Sequence, residues 1–208
     1  MLPKDLEDIL DRFTEDDIYI YIKKIEHATT DFIIDITVEV RQYPESIFQQ
    51  WMITATNHRK NRISFESAPS ISITADHTLL WQFTDIQCQL YFAGQCKDVP
   101  KLFYDLYHVH LDVFGTYDCF DIDAAEKTYK KPFQYTSGYL TQGPKTLMEM
   151  YGECLRQNGM DYSTIGDGPP AYWDGRQHVP ELKDFKILFI GDTYVIASDF
   201  GFEKINSL

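Results

Sequence analysis

The chain has 208 residues, of which 44% are hydrophobic and 15% aromatic. This composition excludes a disordered protein and is enough to bury a sizeable core. The 32 acidic residues against 19 Lys and Arg give a formal net charge of −13, which repels nucleic-acid phosphates and anionic membrane surfaces. We therefore expect no nucleic acid and no membrane as partner. A basic protein suits the charge best, unless the acidity serves solubility alone.

The N-terminus and the cysteines indicate a soluble cytoplasmic protein. The first residues contain neither the basic nor the apolar part of a secretory signal, and no apolar run approaches the roughly 18 residues of a membrane span. The cysteines at positions 88, 96, 119 and 154 include no Cys-x-x-Cys pair and no histidine at zinc-ligand spacing. We expect reduced structural thiols, no metal and no cofactor.

The first half of the chain is predicted to form a short helix and a meander of strands. Leu6, Ile9 and Leu10 are at helical spacing within residues 3–13. Alternation with a period of two then predicts six strands at residues 18–23, 32–41, 47–57, 62–67, 71–73 and 86–92. No helix is predicted between these strands, which favours antiparallel pairing of neighbours.

Two longer helices and a hairpin are predicted in the second half. Asp98 is a suitable N-cap and Gly115 a suitable end for a helix over 98–115. A further helix begins after Gly143 and Pro144 and ends near residue 159. Strands over 185–190 and 193–198 flank the turn Gly191-Asp192.

These elements predict a single α+β domain over residues 1–208. It consists of a helix and strand meander at 1–97, a helical part at 98–159, and a long loop with the C-terminal hairpin at 160–208. The sheet is large and mostly antiparallel, with about six strands plus the hairpin, and the helices pack on one of its faces. Residues 116–142 and 160–183 are predicted as long connections, which in compact domains are functional or mobile.

His110 is the most informative candidate for a pocket. Helical phase places it on the apolar stripe of helix 98–115, where a buried imidazole needs a polar partner. Candidate partners include tyrosine hydroxyls, Asp76 and backbone groups. We predict a polar site or pocket between this helix and the sheet, formed by His110, Tyr107, Asp76 and His77. A histidine satisfied within the core is the alternative.

The opposite stripe of the same helix holds a second candidate site. Asp105, His108 and Asp112 lie along it, and either carboxylate can reach the imidazole, which makes His108 a candidate metal ligand or one member of an acid–base pair. A solvated helix face with favourable charge pairs is the plainer interpretation. The carboxylates at 121–126 lack the further ligands of a calcium loop, and the lysines at 127–131 form a local basic cluster.

Two functions are compatible with these features. The chain has 14 tyrosines, and tyrosine provides contact area at recognition surfaces. Our main hypothesis is a non-enzymatic binding or regulatory protein, of the kind that neutralises a basic toxin or enzyme, with Tyr172 and Trp173 as its interaction loop. The alternative is a small-molecule enzyme or binding protein with its pocket near His110 and Trp173 as a lid.

Overall fold

The structure is a computed structural model that describes residues 1–12, 17–27, 33–42, 48–118, 120, 136–173, 175–181 and 184–205. Over these residues it is an α+β protein in which every strand pairing is antiparallel, as predicted. Its backbone divides into two compact units. The first unit comprises Met1–Leu80 and Lys183–Leu208, and the second comprises Trp81–Leu182.

The described elements of the first unit are one helix, eight strands and a 3-10 turn. The helix is α1 (Lys4–Arg12), and the turn covers Thr78–Leu80. The strands are β1 (Ile18–His27), β2 (Ile33–Gln42), β3 (Phe48–Thr56), β4 (Lys60–Arg62) and β5 (Ile71–Thr74), with β11 (Lys186–Ile190), β12 (Thr193–Ala197) and β13 (Asp199–Ile205) from the C-terminal part.

The eight strands form two four-stranded antiparallel sheets, with the orders β1-β2-β3-β13 and β4-β12-β11-β5. Outside these strands, an isolated antiparallel bridge pairs Ala68 with Ile20 of β1. The chain passes from one sheet to the other at two neighbouring corners. Asn57, in the left-handed region with φ 52°, ends β3, and Ser198 separates β12 from β13. The Asn57 amide donates to Ser198 Oγ at 2.8 Å, which ties the two corners together.

Aliphatic side chains from both sheets and from α1 form the core of the first unit. Strand alternation points Ile36 and Val38 of β2 inwards, and both are fully buried. Leu188 of β11, Val195 of β12 and Leu6 of α1 join the same cluster. Branched aliphatic residues suit this site because their stiff side chains pack well on a pleated surface.

The opposite face of the β1-β2-β3-β13 sheet is polar, as the alternation in β2 predicts, but it is not uniformly wet. Glu39 is only 3% exposed because Arg41 and Lys23 form ion pairs with its carboxylate. The Arg41 guanidinium also lies over the Tyr21 ring, 5.5 Å from its centroid. The outward tyrosines of β1 therefore help to cover a buried charge, and Tyr19 remains 37% exposed.

In its described residues the second unit contains three helices and five strands. The helices are α2 (Trp81–Thr84), α3 (Val99–Phe114) and α4 (Lys145–Gln157). The strands are β6 (Gln87–Ala93), β7 (Ser137–Pro144), β8 (Asp161–Gly168), β9 (Ala171–Trp173) and β10 (His178–Pro180). One sheet has the order β7-β6-β8, and β9 pairs with β10 in a short hairpin.

Both long helices of this unit begin and end where the sequence predicts. The Asp98 carboxylate accepts the Lys101 N–H at 3.0 Å, and the Gly115 N–H donates to Leu111 O at the other end of α3. Helix α4 follows Pro144 directly, ends at Asn158 and packs on β6 and β8. At Gly152 its backbone comes so close to the Tyr162 ring of β8 that a Cβ would overlap the ring.

Four details of the predicted element pattern are wrong. Residues 78–84 form the 3-10 turn and α2, so helical segments do interrupt the meander. Residues 137–144 form β7, and residues 160–183 contain β8, β9 and β10 instead of one long loop. Glycine, proline and aspartate are frequent in these strands and weaken the local signal, whereas pairing with β6 supplies the hydrogen bonds. Strand β13 was also missed.

Candidate functional site

The second unit contains a cavity of about 770 Å³ that opens to solvent. Helix α3 contributes Phe103, Leu106, His110 and Phe114 to its wall, and Phe120 lies beside them. The rest of the described lining comes from α2, from the sheet, from α4, and from the β9–β10 hairpin with the residues that lead into it: Gln82, Gln87, Cys88, Gln89, Leu140, Thr141, Gln142, Gly143, Pro144, Leu147, Met148, Tyr151, Gly166, Pro169, Ala171 and His178. The volume is in the range of small-molecule sites, about 300–1,000 Å³.

The helical phase of α3 decides which of its residues reach the cavity. Residues at spacings of three or four share a helix face, and the buried face of α3 consists of Leu102, Phe103, Leu106, His110 and Phe114. His110 therefore occupies a position where the rest of the stripe is apolar. This is the place that the sequence predicts for it.

His110 and Tyr151 form the polar pair of the cavity wall. His110 Nδ1 and Tyr151 Oη are 2.8 Å apart in a buried hydrogen bond between α3 and α4. The His110 ring also packs against Phe114 and Phe120, with centroid distances of 4.8 and 5.5 Å. These contacts hold the imidazole in one orientation on an otherwise apolar wall.

Glutamine side chains supply most of the remaining polar groups. Gln87 donates through Nε2 to the backbone carbonyls of Trp81 and Asp85, so its amide is held in place. Gln89 accepts from the Tyr91 hydroxyl at 2.9 Å, which directs its Oε1 to that partner. Gln142 pairs with Gln89 across β6 and β7. Uncharged amides that both donate and accept thus lie along one part of the wall.

No Asp, Glu, Lys or Arg is among the described residues that line the cavity. A quarter of the whole chain is charged, 25%, so this part of the surface differs in chemistry from the rest. An ionised ligand loses hydration on entering such a site and finds no opposite formal charge among the described lining residues. The lining is matched to an uncharged ligand.

The four residues predicted for the pocket are divided between the two units. His110 lines the cavity, whereas Tyr107 is outside its described lining and packs its ring against His108 and Phe120. Asp76 and His77 belong to the first unit. His77 Nδ1 accepts the Leu79 N–H at 3.2 Å, so this imidazole caps the 3-10 turn, and burial lowers its pKa against the opposing effect of Asp76.

Tyr151 is the partner of His110 that the sequence analysis did not identify. It lies on the apolar stripe of α4 and is 5% exposed. A tyrosine hydroxyl buried on one helix and an imidazole buried on another each require a polar partner. The sequence therefore indicates that each of these side chains has a polar partner, but spacing along the chain does not show that the two bond to each other.

The predicted helix-face site on α3 consists of charge pairs. Asp105 accepts from Lys101 Nζ at 2.5 Å and from the Asn158 amide at 2.8 Å. The bond from Asn158, followed by that from Lys101, lowers the pKa of Asp105. His108 stacks on Tyr104 at 4.2 Å, and Asp112 is exposed. Over the described residues no group of three or more His, Cys, Asp or Glu is placed to hold a metal ion.

Tyr172 and Trp173 lie on a hairpin instead of a loop. Trp173 pairs with His178 across β9 and β10, and their rings meet edge to face at 5.3 Å. The indole is 55% exposed, while Ala171 and His178 of the same hairpin line the cavity. The hairpin thus connects the predicted interaction residues with the rim of the cavity.

The remaining candidate residues lie partly outside the described ranges. Cys119, the carboxylates at 121–126 and the lysines at 127–131 belong to segments that the structure does not describe. Cys88 and Cys154 are buried free thiols, and burial raises the pKa of both. Among the helices described, none is long and apolar enough to cross a membrane.

Comparisons with known proteins do not assign this site. No family model, no curated protein and no solved structure matches the chain. The chemistry of the cavity is therefore the basis for a functional proposal.

Proposed function

We propose that this protein binds a small uncharged ligand in the cavity of its second unit. The observation that carries the proposal is a cavity of about 770 Å³ whose described lining contains no formally charged side chain. The aromatic and aliphatic residues of α3 would contact an apolar part of the ligand. The His110–Tyr151 pair and the glutamine amides would bind its hydrogen-bonding groups.

The proposal concerns binding rather than a reaction. His110 is oriented by Tyr151 and by two phenylalanine rings, which is an arrangement suited to positioning a ligand. No carboxylate of the described lining is available to work with the imidazole as an acid–base pair. The pocket predicted near His110 is retained in this proposal, with Tyr151 replacing Tyr107, Asp76 and His77 as its polar component.

The test is a binding screen that compares the unmodified protein with a variant whose cavity is partly filled by a larger side chain. Uncharged, anionic and cationic fragments of matched size are mixed with the protein, and binding is read by saturation-transfer NMR. We expect hits mainly from the uncharged set. Leu106→Phe adds volume at a lining position of α3 and should abolish most of them.

Tyr104→Trp is the matched control for this screen. Tyr104 lies on the same helix, is 62% exposed and is outside the described lining. This variant should therefore keep the fragment hits of the unmodified protein. Equal hit rates in the three sets, or hits that persist in Leu106→Phe, would contradict the proposal.

We also propose a cytoplasmic location and a basic protein as a further partner. Buried reduced thiols at Cys88 and Cys154 are in keeping with a reducing compartment. The net charge of −13 favours basic proteins over nucleic acids. The surface that suits such a partner is separate from the cavity and is argued below.

A further inference from the structure

Strand β8 is an edge strand of the sheet in the second unit. In the order β7-β6-β8, β6 is the only described strand that pairs with it. Every second residue of a strand directs its backbone N–H and C=O to the same side. Half of the backbone groups of β8 therefore face away from β6. Such an edge is a template on which another extended chain can add.

A groove of about 580 Å³ runs beside this edge. Helix α4 and the first half of β8 form its described walls: Thr146, Glu149, Met150, Glu153, Arg156, Tyr162, Ser163 and Thr164. The α4 residues are at helical spacings of three and four, so they form one continuous stripe along the strand. Met150 is 36% exposed and gives the groove an apolar contact.

Carboxylates make the groove negative. Glu149 and Glu153 line it; Glu149 is exposed, and no described cation forms an ion pair with it. Glu153 is bound by Arg156, whose guanidinium also lies 5.0 Å from the Tyr162 ring centroid. Among the described residues, the Glu149 carboxylate is therefore left to interact with a partner.

The same charges discriminate between possible partners. A second copy of this chain would bring its own Glu149 to the edge, and like charges placed together are unfavourable. An extended segment with Lys or Arg at alternate positions would instead place its cations on the groove side, beside Glu149 and Glu153. Edge-strand addition takes its affinity from main-chain hydrogen bonds and its specificity from alternate side chains.

We propose that the edge of β8 and the groove beside α4 bind an extended basic segment of a partner protein, which adds to the sheet as a further strand. This site lies on a different set of residues from the cavity. It does not depend on ligand binding there. It provides the second unit with a location for the basic partner that the composition favours.

The experiment uses the full chain and a labelled peptide of alternating Lys and Val, about as long as β8, with a Glu-for-Lys peptide as its counterpart. Binding is measured by fluorescence anisotropy, and hydrogen exchange of the β8 amides is followed by NMR. We expect the Lys peptide to bind and to slow exchange of outward-facing β8 amides. The Glu peptide should not bind.

Charge-reversal variants separate a built site from the general acidity of the protein. Glu149→Lys should weaken binding of the Lys peptide about tenfold, because it places a cation in the groove. Asp112→Lys makes the same change in net charge on the exposed face of α3, outside the groove, and should reduce affinity far less.

Three results would overturn the proposal. Binding of the peptide without protection of β8 amides would mean that the peptide binds elsewhere. Equal weakening of binding by the two variants would mean that the peptide is attracted only by the overall negative charge. A concentration-dependent homodimer that protects β8, observed by sedimentation and exchange together, would make a second copy the occupant of this edge.

Discussion

The first unit fills its interior with aliphatic side chains from two sheets, whereas the second leaves a cavity between its helices and its sheet. Leu188 in the first unit is fully buried, and its neighbours are other core aliphatic residues. Leu106 in the second is 3% exposed but borders the cavity. Two leucines of nearly equal burial thus have different surroundings. The difference shows that the exposed fraction of a core side chain does not by itself tell how much that side chain stabilises the folded protein.

The largest expected effect contrasts these leucines directly. Leu188→Ala should cost about 4 kcal/mol in the free energy of unfolding, because it opens a new void within packed side chains. Leu106→Ala should cost about 2 kcal/mol, since one side of the leucine already faces open space. Hydrogen exchange by mass spectrometry reads the two units separately. Equal costs would mean that Leu106 is as fully packed as Leu188.

The hydrogen bond across the cavity wall is the next test. His110→Ala should cost about 1–3 kcal/mol, because it leaves the buried Tyr151 hydroxyl without this bond and removes a packed ring. Tyr151→Phe should cost about 1–2 kcal/mol for the same bond. Chemical denaturation measures both. Tyr104→Phe, at an exposed position of α3, serves as the control and should stay within about 0.5 kcal/mol.

A substitution at Gly152 tests whether the contact between α4 and β8 is tightly packed, although the same unit contains a cavity. Alanine is about 1 kcal/mol better than glycine within a helix, yet Gly152→Ala should destabilise by about 1–2 kcal/mol because its Cβ overlaps the Tyr162 ring. In a Tyr162→Ala background the same substitution should become neutral or stabilising. A double-mutant cycle by urea unfolding gives the coupling, and additive effects would exclude the clash.

His77 gives the first unit a pH dependence of its own. Burial lowers its pKa in the folded state, so the unfolded chain binds more protons near pH 6 and stability falls as the pH drops below about 6.5. His77→Asn keeps a side chain that can accept the Leu79 N–H but does not titrate. Its unfolding free energy should vary less between pH 7 and 5 than that of the unmodified protein. Parallel curves would contradict this assignment.

The smallest effect is expected at His108. This residue is on the solvent side of α3, where its half-buried ring contacts the tilted ring of Tyr104. His108→Ala should therefore change the free energy of unfolding by no more than about 0.5 kcal/mol. Thermal unfolding measured beside His110→Ala makes the comparison internal to one helix. A large loss of stability in His108→Ala with none in His110→Ala would mean that the buried and exposed faces of α3 have been assigned the wrong way round.

Much of the local structure and one wall of the cavity were predictable. The caps at Asp98 and Gly115 determine the limits of α3, and apolar spacing assigns His110 to its buried face. The Gly191-Asp192 turn likewise predicts the β11–β12 hairpin, which the structure contains. In each case the deciding interactions join residues close in sequence, so the sequence by itself determines the result.

The strands β7, β8 and β13 and the partner of His110 were decided only by the tertiary structure. The strands contain glycine, aspartate or proline and are held by hydrogen bonds to β6 or β3, which are distant in sequence. Tyr151 reaches His110 because α3 and α4 pack together. The cavity arises because those helices do not fill the space beside β6 and β7. Such long-range pairings depend on the arrangement of whole elements, which spacing along one segment does not determine.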